Sequence, residues 1–401
     1  MSLNVDKNSV ALAIIPILRL AFRPLFLGAT LFSVIAIGWW AIYWLSPFDW
    51  SPYGGAFWWH GHEMLFGFGA AIVVGFLLTA VQTWTGVTGI RGKPLAILVL
   101  FWLSGRILVS FGSGLPDIVI AVGDIAFLLF AAIAMAYPII KVKQWRNLMF
   151  VPMLFMLALL NASSHWGVIT YQPQLAMQSL HGTIMLFTLI ISIVGGRVIP
   201  AFTANATACP RAQPMLWLET LSVVSIICLI VFAFIGFSVV SSSLLLVVSS
   251  VAALANGWRY LRWGIQHSLS VPLLWSLHFA YAFIPLGFFA LALHSAGLMD
   301  NISAALHSIT VGSIGGMILA MISRVTLGHT GRPLNPHRLV TFAYIFILSA
   351  ALIRVILPAW LPGFTYWGIG MAGILWVLAY SIYIYFYAPM LMRSRADGRP
   401  G

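Results

Sequence analysis

The stretch Trp58-Trp59-His60-Gly61-His62-Glu63-Met64 opens an apolar run that continues to about Trp84. Its length predicts a helix that crosses a membrane, because a bilayer core of about 30 Å needs about 20 apolar residues. Two histidines and a glutamate therefore stand at the start of a membrane span. A charged side chain at the centre of a span costs about 2.5–3.5 kcal/mol on insertion scales, so ionisable residues there indicate a functional site.

The composition of the whole chain is that of a membrane protein. Of its 401 residues, 61% are apolar and 7% are charged, and the mean hydropathy is +1.01. Soluble proteins carry about 25% charged residues. We therefore predict an all-α, polytopic membrane protein that forms a single domain over residues 1–401. The predicted spans are twelve: Leu25–Leu45, Phe57–Trp84, Pro94–Phe111, Pro116–Ile140, Leu148–Val168, Ala176–Val198, Met215–Phe237, Val239–Asn256, Val271–His294, Ile302–Leu327, Leu339–Pro358 and Tyr366–Met390.

Charged residues in the predicted connections alternate along the chain. Lys and Arg occupy the N-terminus, every even-numbered connection and the C-terminus, whereas odd-numbered connections carry an aspartate or no charge. Only Arg106 and Arg354 depart from this pattern. The positive-inside rule then predicts that both termini face the cytoplasm. The net charge of +12 is explained by these loops, and we expect no nucleic-acid partner.

A histidine stands near the start of three spans that are four spans apart. These residues are His62, His181 and His307, in the second, sixth and tenth spans. Their regular placement predicts three four-helix units near residues 20–140, 141–262 and 263–392, with coincidence among similar helices as the alternative. In membrane proteins built from repeats, the functional site commonly lies where the repeats meet.

Most of the histidines share one predicted depth in the membrane. Those at the outer ends of their spans are His60, His62, His165, His181, His294 and His307. Imidazole is a common ligand of haem iron and of copper, so this shared depth predicts a haem or metal site. A hydrated side chain at the membrane interface is the alternative, and it is the interpretation favoured for His165 and His294.

Specific roles follow for four histidines. His62 and His307 are the predicted ligands of haem iron, and His60 and His181 are candidates for a second haem or for copper. His60 and His62 are two residues apart, so on a helix they point about 200° from each other. They would then serve different cofactors, or one would support the other.

Three charged side chains complete the predicted site. Glu63 shares a helix face with His60 and could orient an imidazole or hold a proton during catalysis. A glutamate that faces water is the alternative. Arg197 and Arg324 are predicted to bind haem propionates or another anion. The positive-inside bias alone also accounts for arginines at that depth.

Three motifs resemble the signatures of one family. The segment 59–68 resembles WHxHEMLFGF, 195–203 resembles GGRVIPAFT, and 307–332 resembles HxLTVG…RxTLGHTGR. On these motifs, which span most of the chain, the protein is identified as a member of the NnrS family. Its members are bacterial membrane proteins linked to nitric oxide metabolism and described as containing haem and copper. Gly61 and Ser308 stand where the family often has alanine.

The resemblance implies haem and copper binding at His60, His62 and His307, in the inner membrane of a bacterium and in contact with its lipids. A more distant similarity, at the level of the fold alone, is to the catalytic subunit of haem–copper oxidases and nitric oxide reductases. That fold has twelve spans in three four-helix arcs, with histidine ligands on the second, sixth and tenth.

We therefore expect an inner-membrane protein that holds haem b, with copper as a further candidate, and that binds nitric oxide and reduces or otherwise detoxifies it. The expected enzyme class is an oxidoreductase resembling nitric oxide reductase, and the sequence identifies no electron donor. Cys209 and Cys228 form no haem-attachment motif, so the haem should be held noncovalently. The alternatives are a transporter of metal ions or small molecules, and a haem-based sensor or maturation factor without turnover.

Overall fold

A computed structural model describes residues 12–399, and within that range the chain forms helices and no strand. Twelve helices are long and apolar enough to cross a membrane. In chain order they are α1 Phe22–Leu45, α2 Ala56–Thr85, α3 Lys93–Phe111, α4 Asp117–Lys141, α5 Phe150–Ile169, α6 Pro173–Ala206, α7 Leu216–Ile235, α8 Ser242–Leu261, α9 Pro272–Ser295, α10 Ile302–His329, α11 Arg338–Trp360 and α12 Thr365–Met392. The prediction of an all-α, multi-pass membrane protein is confirmed.

The connections alternate between the two ends of the helical bundle. We call the end with the even-numbered connections the basic end, because most Lys and Arg residues lie there. The opposite end is called the histidine end, because α2, α6 and α10 each begin there with a histidine in their first turns. That the basic end faces the cytoplasm remains a prediction, as do the single domain over 1–401 and the three four-helix units.

The helices that carry these histidines lie at the centre of the bundle. In α2 and α10, 78% of the most apolar window is buried, and in α6 and α9 the share is 67%. In each of the other eight helices it is 50% or less. Those outer helices expose large apolar side chains such as Leu100, Ile133 and Leu254. A continuous exposed apolar surface marks contact with a membrane, so the histidines are held away from lipid.

Two central helices change their pitch directly after a histidine. Glu63–Gly69 in α2 and Ser308–Gly315 in α10 are π-helical, and they follow His62 and His307. π-helical turns are rare and frequently lie at functional sites. Their wider turns rotate the residues before them relative to those after them. The direction of each histidine relative to the residues after the π-helical turn therefore cannot be read from a period of 3.6 residues.

The sixth span is longer than predicted. Its predicted end was Val198, but α6 continues to Ala206 and passes Pro200 without ending. The Thr203 hydroxyl donates a hydrogen bond of 2.9 Å to the carbonyl of Ile199 in this last part. With 34 residues, α6 exceeds the length that a bilayer core requires.

The first and last helices are joined by a buried arginine. Arg23 in α1 is fully buried, and its Nη1 donates to the carbonyls of Leu391 and Arg393 at 2.9 and 2.7 Å. These carbonyls belong to the C-terminal end of α12, where backbone acceptors lack partners within the helix. A positive charge also favours this end of the helix dipole.

The Arg23→Ala variant should therefore be less stable, by about 2–4 kcal/mol, because hydrogen bonds to a charged group contribute about 1.5–3 kcal/mol each and are only partly additive. Thermal unfolding in detergent measures the loss. Arg338→Ala is the matched control, since Arg338 is exposed at the same end of the bundle. Equal melting temperatures for both variants would show that Arg23 does not join the two helices.

Candidate functional site

A cavity opens among α1, α2, α6, α10, α11 and α12 at the histidine end. Its volume is about 460 Å³, which lies within the roughly 300–1,000 Å³ of typical cofactor sites. Three imidazoles line it, those of His60, His181 and His307. Apolar and aromatic side chains form most of the remaining wall, among them Ile37, Trp40, Trp44, Met64, Leu65, Phe68, Leu180, Ile184, Leu306, Val311, Ile314, Ile369 and Trp376.

The hydrogen bonds of His307 fix which ring nitrogen faces a ligand. Its Nδ1 lies 2.7 Å from the carbonyl oxygen of Ser303, one turn earlier in α10, so Nδ1–H donates to that carbonyl. Nε2 then carries a lone pair, which accepts from Arg354 Nη2 at 3.3 Å. Metal-ligating histidines almost always donate their second N–H to such an oxygen, which orients the ring. Nε2 of His307 is therefore the nitrogen that could ligate a metal, which would displace Arg354 from it.

His60 presents an unsatisfied nitrogen at the same cavity. Its ring stacks on that of Trp40, with the centroids 4.4 Å apart and the planes at 10°. Its Nδ1 is buried and has no hydrogen-bond partner within residues 12–399. More than about 90% of buried polar groups in proteins are hydrogen-bonded, so an exception requires an explanation. His60, which lines the cavity, therefore has one ring nitrogen without a partner in the described part of the chain.

The wall also contains His181 and Arg354, together with the uncharged polar side chains of Asn301, Ser303, Thr310 and Thr365. The His181 ring packs on Phe237, with the centroids 5.9 Å apart. Arg354 is one of the two basic residues that departed from the charge pattern, and it has no carboxylate within 4.0 Å in the described part of the chain. Its guanidinium group could therefore pair with a carboxylate of a bound molecule.

His62 and Glu63 belong to a second, fully buried cluster on the other side of α2. His62 Nδ1 lies 3.0 Å from Glu63 Oε1, and its Nε2 lies 2.8 Å from Asn161 Oδ1 and 3.2 Å from Asp124 Oδ2. The ring also stacks on Trp58 with the centroids 4.4 Å apart. Both ring nitrogens thus face acceptor oxygens inside the protein, and neither is available to the cavity.

Arg106 holds the two carboxylates of this cluster together. Its Nη1 lies 2.7 Å from Glu63 Oε1, and its Nη2 forms an ion pair with Asp124 Oδ1. Gly67 makes room for it, because a Cβ atom at that position would collide with Arg106 Nη1. Arg106 is the other basic residue outside the charge pattern, and here its charge is compensated.

Three side chains of the cluster could hold a metal ion. The ligand atoms of His62, Asp124 and His165 lie within 4.8 Å of one another, and all three residues are buried. In each imidazole the other ring nitrogen, Nδ1, lies next to an oxygen atom, as in many metal sites. Glu63 Oε1 is next to His62 Nδ1, and the Tyr53 hydroxyl lies 3.3 Å from His165 Nδ1. Burial raises the pKa of Tyr53, so its hydroxyl keeps its proton.

The structure thus groups the predicted residues differently from the sequence analysis. It brings His60, His181 and His307 to one cavity and places His62 and Glu63 in the second cluster, so His62 and His307 do not meet. The opposite directions expected for His60 and His62 are observed.

Both predicted arginines lie away from the histidine cavity. Arg324 packs over the ring of Phe202 at 3.8 Å, and Arg197 lines a pocket at the basic end. Arg354 takes the position at the cavity that these two were expected to fill. The sequence analysis noted Arg106 and Arg354 only as exceptions to the charge pattern, gave Asp124 no role, and preferred a hydrated role for His165. Their interruption of apolar runs was the signal.

The model of one protein family, described as NnrS protein, matches residues 16–395, nearly the whole chain. No curated protein matches the chain.

Proposed function

The chain belongs to the NnrS family, a family of nitric-oxide-related membrane proteins, and from this premise we propose that it binds haem and uses it to bind and reduce, or otherwise detoxify, nitric oxide. The observation that carries the proposal is the meeting of His60, His181 and His307, from three central helices, on one largely apolar cavity. The imidazoles of His60 and His307, with the His307 ring oriented by the Ser303 carbonyl, would suit a group that is ligated by histidine.

Within this proposal, His60 and His307 would hold the haem, and His181 would be available to ligate a further metal such as copper. Arg354 would neutralise a propionate group. The haem supplies an iron centre that can bind nitric oxide and exchange electrons. The aromatic and aliphatic wall excludes water. The expected cofactor is haem b, held noncovalently, and the electron donor remains unidentified.

An apolar pocket next to the cavity is consistent with a small apolar substrate. A second pocket between α1, α2, α6 and α10 is lined only by apolar side chains and glycine, and it shares Ile314 with the cavity. Nitric oxide is small and uncharged, so an apolar pocket next to the cavity suits it.

Glu63 is proposed to hold a proton for the reaction. Its Oε2 is buried and has no hydrogen-bond partner within residues 12–399. Its neighbours His62 and Arg106 keep it in place.

The second cluster is proposed to bind a metal ion. Asp124 Oδ2 lies 3.2 Å from both His62 Nε2 and His165 Nε2, so the three side chains are close enough to share one metal ion. Two histidines and one carboxylate suit a first-row transition metal such as iron or copper. The alternative is a metal-free ion-pair network, in which Arg106 and a protonated His62 balance the two carboxylates.

The visible spectrum of the purified protein, with metal analysis of the same sample, tests these proposals. We expect haem absorption that shifts when nitric oxide is added without oxygen, and about one equivalent of metal beyond the haem iron. A colourless protein without iron would contradict haem binding and favour a transporter. If the metal content of the sample equals its haem iron, the second cluster holds no metal and is an ion-pair network.

Consumption of nitric oxide then separates an enzyme from a sensor. With a chemical reductant present and oxygen excluded, an enzyme removes many equivalents of nitric oxide per haem. A spectral shift without turnover would contradict the catalytic part of the proposal and leave the sensor.

A further inference from the structure

A pocket at the basic end gathers arginines from four separate segments of the chain. It lies between α6, the connection that follows it, α7, and the end of α8, and its volume is about 580 Å³. One glutamate, Glu219, is the only acidic residue in its wall. The arginines that line it are Arg146, Arg197, Arg211, Arg259 and Arg262.

The glutamate is fully engaged by one of these arginines. Arg259 is buried, and its Nε and Nη2 lie 2.9 and 2.6 Å from the two carboxylate oxygens of Glu219. Its Nη1 donates to the carbonyl and the hydroxyl of Ser192 at 2.9 and 2.8 Å. Arg259 is the one arginine within 4.0 Å of the Glu219 carboxylate among the described residues.

The other four guanidinium groups have no carboxylate within 4.0 Å in the described residues. Arg197 Nη2 lies 3.5 Å from the sulfur of Met149, which is a weak acceptor. Arg262 Nη2 donates to the carbonyl of Gln213 at 3.1 Å. Like charges gathered around one pocket repel each other, so an anion bound there would be stabilised.

The chain has few carboxylates that could neutralise the arginines of this pocket. It contains eight Asp and Glu residues, of which Glu63 and Asp124 are buried in the cluster at the histidine end. The positive-inside bias accounts for arginines at this end, but not for four unpaired arginines around one pocket. Arginine matches phosphate because its planar group can donate two parallel hydrogen bonds.

Tryptophans place this pocket at the depth of lipid headgroups. Trp145, Trp217 and Trp258 are each more than half exposed, and each lies within two residues of a side chain that lines the pocket. Exposed tryptophans are enriched where a membrane meets water. Basic pockets between membrane helices bind the headgroups of anionic lipids.

We propose that this pocket binds the phosphate group of an anionic phospholipid. Free phosphate would offer the same chemistry, so the experiment must separate the two sources. The proposal does not depend on haem or on nitric oxide.

The test uses the full-length protein, delipidated in detergent. Native mass spectrometry measures binding of phosphatidylglycerol, of the zwitterionic phosphatidylcholine, and of inorganic phosphate. We expect the parent to prefer phosphatidylglycerol. The double variant Arg211→Gln/Arg262→Gln should bind that lipid about 10- to 30-fold more weakly, since each arginine near a lipid surface contributes about a factor of five.

The matched control is Lys141→Gln/Arg338→Gln, which removes two exposed charges at the same end but outside the pocket. It should bind phosphatidylglycerol within about twofold of the parent. The proposal is overturned if the parent does not prefer phosphatidylglycerol, or if both double variants weaken binding equally. Saturation by inorganic phosphate without any lipid preference would assign the pocket to free phosphate and reject the lipid. Haem content, measured in parallel, keeps this outcome separate from the proposed function.

Discussion

The His307→Ala variant should purify with little or no haem. His307 is the imidazole whose Nδ1–H is held by the Ser303 carbonyl, which turns Nε2 to the cavity. Loss of an outer-shell partner alone typically costs 10- to 100-fold in metal affinity, so loss of the ligand itself should cost at least that much. We expect haem per protein to fall to about a tenth of the parent value or less, measured by the pyridine haemochrome assay.

Two other histidine variants make this result specific. His294→Ala is the matched control, because His294 lies at the same end and bonds the Met299 carbonyl at 2.8 Å, outside the cavity. It should retain the parent spectrum. His62→Ala should also retain haem, because both ring nitrogens of His62 face the second cluster.

Two other outcomes would contradict the assignment of the haem to the cavity through His60 and His307. If His62→Ala loses haem while His307→Ala keeps it, the cavity is not the haem site. If both lose it in a folded protein, His62 and His307 act together despite their separation. Circular dichroism of each variant shows whether the fold is intact.

Replacing Arg106 with leucine should cause the largest loss of stability. Arg106 is buried between Glu63 and Asp124, and without it these two carboxylates remain in the interior without the guanidinium group that compensates their charge. Breaking a buried ion pair by removing one partner costs about 3–5 kcal/mol. We expect a decrease of this size in the free energy of unfolding, measured by denaturant titration in micelles.

The conservative variant tests the geometry of this ion pair. Arg106→Lys should remain less stable than the parent, because a single ammonium group cannot place separate nitrogens against Glu63 and Asp124. Lys141→Leu, at an exposed position of α4, should change stability by no more than about 0.5 kcal/mol. If Arg106→Leu changes stability no more than this control does, the cluster does not stabilise the fold.

The amino-acid sequence by itself determined the architecture. Twelve apolar runs predicted twelve membrane helices, because each run has the length that a bilayer requires. The charge pattern of the connections singled out Arg106 and Arg354, because these are the two basic residues that lie inside spans. It also separated His60 from His62, because neighbours two apart on a helix point in different directions.

Only the tertiary structure decided which of these residues meet. His62 pairs with Asp124 and His165, not with His307, and Arg354 rather than Arg197 or Arg324 reaches the cavity. The rotation of each helix about its axis is set by packing against its neighbours, and hydropathy does not encode it. The π-helical turns in α2 and α10 alter that rotation next to the histidines, so the partners could be found only once the helices were packed together.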